Sequence, residues 1–96
     1  MTIKLKKFGA TLTSRQLGKE AFDAFQPSLK ETAADEILEI DFAGIDVLSP
    51  SWGDEFLTPL QKQYQNRLFL KKTENPSVHE TIALLEDIGR LKFQTK

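Results

Sequence analysis

Hydrophobic and polar positions along this 96-residue chain switch between a two-residue period and a three-to-four-residue period, and each switch marks an element. Ile3-Lys4-Leu5-Lys6 alternates as a half-buried strand does, and its outward lysines suit the edge of a sheet. After the connection FGATLT, Thr13 with Gln16 three residues later forms a capping box that opens a helix. Leu17, Ala21, Phe22, Phe25 and Leu29 then give that helix one apolar face. Pro27 predicts that the helix stops near Gln26 or kinks, because proline removes a backbone donor and its ring clashes with the preceding turn.

Glu36 to Phe42 (EILEIDF) is too apolar for a surface strand and is expected at the centre of the sheet. Ala43-Gly44 turns the chain, Ile45 to Leu48 crosses the edge of the core, and Pro50 excludes helical backbone at Ser49. Ser51 is the expected N-cap of the next helix, with Asp54 at its third position. Phe56, Leu57, Leu60 and Tyr64 form the buried face, and Pro59 predicts a kink or a split there. Arg67 to Lys71 (RLFLK) reads as a further strand. Asn75-Pro76 opens a last helix with Val78, Ile82, Leu85 and Ile88 inward and Gly89 as its left-handed stop. Leu91-Lys92-Phe93 reads as a closing strand. Strands alternating with helices predict the α/β class, a single domain over residues 1–96 with a mostly parallel or mixed sheet of about four strands and about three helices.

Composition narrows the function. Thirteen basic residues are scattered against fourteen acidic ones, for a net charge of −1, so nucleic-acid binding by bulk electrostatics is not expected. The absence of cysteine excludes disulfides, iron–sulfur clusters and thiol catalysis. His79 is the only histidine; alone it makes neither a zinc site nor a catalytic triad, so no metal is expected. Neither a GxGxxG nor a GxxxxGK[ST] loop occurs, so no nucleotide or other cofactor is expected. MTIKLKK lacks the apolar core of a secretory signal, and the longest apolar runs fall short of a membrane span. The expected location is the cytoplasm. Lys71-Lys72 and His79 read as solvated surface.

The candidate chemistry gathers at SPSWGDE, Ser49 to Glu55, where a strand gives way to a helix. A phosphate on Ser51, or on Ser49, would gain from the free N–H groups and dipole of the helix start. Asp54 and Glu55 are adjacent and diverge by about 100° on a helix, which favours dipole complementarity or partner contact over an acid–base pair. Trp52 is assigned to a partner-facing surface, the alternative being that it packs over Val47 or Phe56. Arg15 stands near a helix start, where a cation is disfavoured. It either bridges to Asp41 or Asp46 or contacts a phosphate or an acidic partner.

The strand ending Asp41-Phe42-Ala43-Gly44, its serine-rich turn and the helix after it resemble the STAS domain of anti-sigma-factor antagonists. The tail, Asn75-Pro76-Ser77-Val78 through Leu85 to Gly89 and then Leu91-Lys92-Phe93, is similar to that family's last helix and closing strand. Ser14-Arg15-Gln16-Leu17-Gly18, with Asp41-Phe42 and Ser51-Trp52-Gly53-Asp54-Glu55, looks most like the functionally uncharacterised STAS-like branch. The resemblance implies a regulatory module, not an enzyme, that binds a histidine-kinase-like ATPase or an anti-sigma factor and is switched by serine phosphorylation. The family's phosphorylated serine aligns with Pro50, so the switch is lost here or shifted to Ser51 or Ser49. The expected partner surface comprises Ser14, Arg15, Trp52, Asp54 and Glu55, in a monomer or weak dimer that contacts neither membrane nor nucleic acid. The alternative is a small-ligand-binding or scaffolding domain without phosphorylation.

Overall fold

Alternation of buried and solvated side chains sets the strand register. In the computed structural model, which describes all 96 residues, Ile3 of β1 (Thr2–Lys4) lies beside Ile40 of β3 (Leu38–Asp41). Ile40 in turn lies beside Leu70 of β5 (Leu68–Leu70), and Leu70 beside Thr95 of β6 (Gln94–Thr95). All these pairings are parallel, in the order β1-β3-β5-β6, so β3 is internal and β1 is an edge, as the sequence predicts. Three helices connect them: α1 (Arg15–Leu29), α2 (Pro50–Tyr64) and α3 (Pro76–Gly89). Strands added always on the same side by right-handed crossovers carry all their helices on one face. Burial agrees: Ile3, Leu38, Ile40, Leu68 and Leu70 are buried, while Glu39, Asp41, Phe69 and Gln94 on the opposite face remain partly solvated. There the Lys96 ammonium sits 5.5 Å from the Phe69 ring centroid and 3.8 Å from Glu39 Oε2, shielding the one aromatic of that face.

A second, two-stranded parallel sheet joins β2 (Thr11–Leu12) to β4 (Val47–Leu48), an element the sequence does not announce because each strand is only two residues long. Its β4 side is closed by hydroxyls of α3. Ser77 Oγ accepts from the Leu48 N–H at 3.0 Å, and both Ser77 Oγ and Thr81 Oγ1 donate to the Leu48 carbonyl, the latter at 2.6 Å.

Several boundaries differ from the sequence expectation. Ser14, not Thr13, caps α1, its hydroxyl accepting from the Leu17 N–H. Pro27 lies inside α1, which continues to Leu29 because Phe25 and Leu29 are both held in the core. Pro59 likewise leaves α2 continuous; Phe56, Leu57, Leu60 and Tyr64 are buried on both sides of it, and that packing outweighs the missing backbone bond. The left-handed residue after α3 is Arg90, at φ 50°, one position beyond Gly89. The closing strand is Gln94–Thr95, with Phe93 buried just before it. Leu17 and Ile88, placed on inner faces by period alone, are 59% and 71% exposed.

Candidate functional site

Helices α1 and α2 start side by side. Position 18 carries no side chain, so the backbone of Trp52 comes against it: a Cβ there would lie 2.7 Å from the Trp52 carbonyl oxygen. The sequence reaches this geometry through two serine caps. Ser14 holds the first turn of α1, and Ser49 holds the first turn of α2 by accepting from the Trp52 N–H at 3.2 Å. The Ser49 hydroxyl also donates to the Thr13 carbonyl at 2.8 Å, tying one helix start to the other. Ser49 is therefore the cap expected at Ser51, and Pro50 takes the first helical position, where its missing N–H costs nothing. Ser51 moves to the second position, with its side chain partly exposed.

Across this junction Arg15 Nη1 donates to Asp54 Oδ2 and to Glu55 Oε1, each at 3.0 Å. The bridge to Asp41 or Asp46 that the sequence suggested is replaced by this pair. Arg15, whose charge the dipole of α1 disfavours, finds its compensation in two carboxylates at the start of α2. Those two hydrogen bonds, Asp54 first, raise the guanidinium pKa above its ordinary value. The three side chains are 54%, 44% and 30% exposed, so the cluster lies open to solvent on a fixed frame.

Trp52 departs from its assigned place. It is 1% exposed, stacked on Phe56 with ring centroids 4.9 Å apart and tilted against Phe8 at 6.0 Å. The reason is geometric: Trp52 follows the tight crossing at Gly18, so its side chain enters the gap between α1, α2 and the 3-10 turn at Leu5–Phe8. Burying an indole there fills space that smaller residues would leave empty. Of the partner residues expected from the sequence, Ser14, Arg15, Asp54 and Glu55 come together at one surface, and Trp52 supports them from beneath.

The sequence reading missed a concavity at the carboxyl ends of β3, β5 and β6. This groove of about 720 Å3 has Phe42, Leu70, Val78 and Ile82 in its lining, together with Lys71, Lys72 and His79. The His79 ring contacts the Thr73 carbonyl and so braces the loop leading into α3. The available signal was positional: a parallel strand running into Lys71-Lys72 just before a helix start. No group of three or more histidine, aspartate or glutamate side chains is arranged to hold a metal ion. No helix is long and apolar enough to cross a membrane. Comparison of the chain with models of protein families, with curated proteins and with solved structures gives no match.

Proposed function

We propose that this chain is a non-enzymatic regulatory module that binds a protein partner through the adjoining mouths of α1 and α2. The observation that carries the reading is the Arg15–Asp54–Glu55 cluster, partly exposed and held on two helix starts whose backbones touch at Gly18 and Trp52. Charges fixed on packed elements select partners by register and sign, whereas charges on loose loops do so poorly. The STAS-like motif order suggests a histidine-kinase-like ATPase or an anti-sigma factor as the partner, and such a partner would place the module in the cytoplasm.

Of the two serines, Ser51 suits the switch. The Ser49 hydroxyl already accepts from Trp52 and donates to Thr13, so a phosphate there would break both bonds. Ser51 stands one turn before Glu55 on the same face of α2. A phosphate at Ser51 would repel Glu55 and compete with it for the Arg15 guanidinium, a strong bidentate acceptor replacing a single oxygen. Phosphorylation would thus reset the charge pattern a partner meets without disturbing the indole below.

The test is affinity capture from the cell of origin with the wild-type chain and with Asp54→Arg, followed by ATP addition to the captured complex and mass analysis. The expected result is an ATPase of the kinase type retained by the wild type, lost by the variant, and one phosphate added at Ser51. A chain that captures no such protein and gains no phosphate refutes the reading. Small-ligand binding is the second reading, favoured by the groove at the strand carboxyl ends, where open α/β sheets take their ligands. A fragment screen read by amide shifts tests it, and the absence of any saturable shift over residues 71–83 rejects it.

A further inference from the structure

The small sheet has one closed edge and one open edge. In a parallel ladder, peptide groups point alternately to the two sides of the strand. The Val47 N–H donates to the Ala10 carbonyl and the Ser49 N–H to the Leu12 carbonyl, so the Thr11 N–H and C=O must point away from β4. On the far side of β4 the hydroxyls of Ser77 and Thr81 serve the Leu48 peptide groups. Nothing equivalent serves Thr11, which is exposed. An unpaired edge of this kind is a template for another strand.

Beside that edge runs a groove of about 280 Å3 between β2 and one face of α1. Leu17, Glu20, Ala21 and Ala24 recur on that face at helical spacing, and Phe8 and Leu12 complete the apolar floor. Leu17 is 59% exposed, an apolar side chain at the lip of an apolar trough. Glu20 is the only charged residue lining it and belongs to none of the ion pairs of the fold.

Resting on the protein-binding reading above, we propose that this edge and groove take an extended peptide segment of the partner as a third strand of the β2–β4 sheet. Its backbone pairs with Thr11, an apolar side chain enters between Phe8, Leu17 and Ala21, and a lysine or arginine faces Glu20. The occupant is an extended peptide because main-chain pairing answers the open N–H and C=O, and side chains at alternate positions reach a groove on one side only. The basic residue follows from the sign of the single rim charge.

The test uses a randomised eight-residue display library selected on the full chain, with selected peptides then mapped by amide shifts. Expected sequences carry an apolar residue near a lysine or arginine, and they shift Thr11 to Thr13 and Leu17 to Ala24. Thr11→Pro removes the outward N–H while leaving the β4 pairing intact, and should weaken binding at least tenfold. Leu17→Arg serves as a second variant on an exposed helix position and should do the same, while Glu20→Lys should favour acidic peptides over basic ones. Failure to enrich any peptide over the Leu17→Arg chain overturns the proposal, as does a selected peptide that binds Thr11→Pro and Leu17→Arg as well as wild type. Peptides that map instead to Arg15, Asp54 and Glu55 would overturn the groove while leaving the protein-binding reading standing.

Discussion

Replacing Gly18 with alanine sets two effects of opposite sign against each other. In an ordinary helix interior the change stabilises by about 0.8–1 kcal/mol, through helix propensity alone. At this position the new methyl carbon would lie 2.7 Å from the Trp52 carbonyl oxygen, 3.0 Å from its Cα and 3.2 Å from its carbonyl carbon. All three are backbone atoms at the first turn of α2, so no side-chain rotation relieves them. The helix axes must part by more than half an ångström to restore ordinary contact, above a core in which Trp52, Phe56 and Leu57 are all 1% exposed or less. Overpacking of this kind costs about 1–3 kcal/mol. Steric cost exceeds propensity, and the net expectation is a loss of about 1 kcal/mol, or a melting point lower by about 4–8 °C for a domain of this size.

Trp52 is the only tryptophan, so urea unfolding followed by its fluorescence reports on the crossing directly. Ala24→Gly, at an exposed position of the same helix, calibrates the propensity effect and should cost about 1 kcal/mol. If Gly18→Ala instead gains about what Ala24→Gly loses, α1 and α2 do not touch as described, and the shared frame of the Arg15 cluster goes with them.

Trp52→Ala should cost about 3–5 kcal/mol in urea unfolding, as for a core aromatic and unlike a surface contact; unchanged stability would return the indole to the surface. Ser49→Ala should cost about 1 kcal/mol for the lost cap, whereas Ser51→Ala should be close to neutral, and equal effects would contradict the placement of the helix start. Thr81→Val keeps the shape of a buried side chain but leaves the Leu48 carbonyl with only its longer bond to Ser77, and should cost about 1–2 kcal/mol in thermal unfolding. The Glu36 carboxyl is held below its ordinary value of 4.5, first by the hydrogen bond from the amino terminus and then by the Ala33 N–H. Its contribution to stability is present above that value and is lost as pH falls through the lower folded one. Glu36→Gln should therefore shrink the difference between unfolding midpoints measured at about pH 6 and pH 3, and an unchanged difference would refute the pairing.

The parallel α/β sheet was legible because its periods are clear in the sequence: β3 alternates buried Leu38 and Ile40 with Glu39 and Asp41, β5 is a short apolar run, and three helical periods separate the strands. What the sequence hid were effects decided by tertiary contact. At Pro27 and Pro59 local rules, which count only the lost backbone bond, left a break or a kink open; the break does not occur, because Phe25, Leu60 and Tyr64 hold both helices in the core. The strands β2 and β4 are too short for any period to register. At the site, Ser14, Arg15, Asp54 and Glu55 were named together from their motifs, and the fold brings them to one surface, but their mutual contact was invisible, since Arg15 and Asp54 lie 39 positions apart. Trp52 was misplaced because a first-turn position usually faces outward, whereas here the close approach of its backbone to Gly18 goes with an indole packed on Phe56 and Phe8.

That last point changes what the two short motifs mean. Ser14-Arg15-Gln16-Leu17-Gly18 and Ser49 to Glu55 need not be separate binding signatures, because each supplies the other's partner. The serines cap and tie the two helix starts, the glycine admits the tryptophan backbone, and the arginine receives the carboxylates. A clasp of this kind leaves few groups uncommitted at the junction, and under the proposed function those few are where a partner would be recognised. The Ser51 hydroxyl and the outward faces of Asp54 and Glu55 meet that condition, whereas Trp52 and Ser49 do not. A substitution at Trp52 that abolished partner binding would therefore report loss of the frame. Asp54→Arg reverses an exposed charge and gives up the bond to Arg15, but keeps the Gly18 crossing and the serine ties, so it tests contact when its urea midpoint is measured beside its binding.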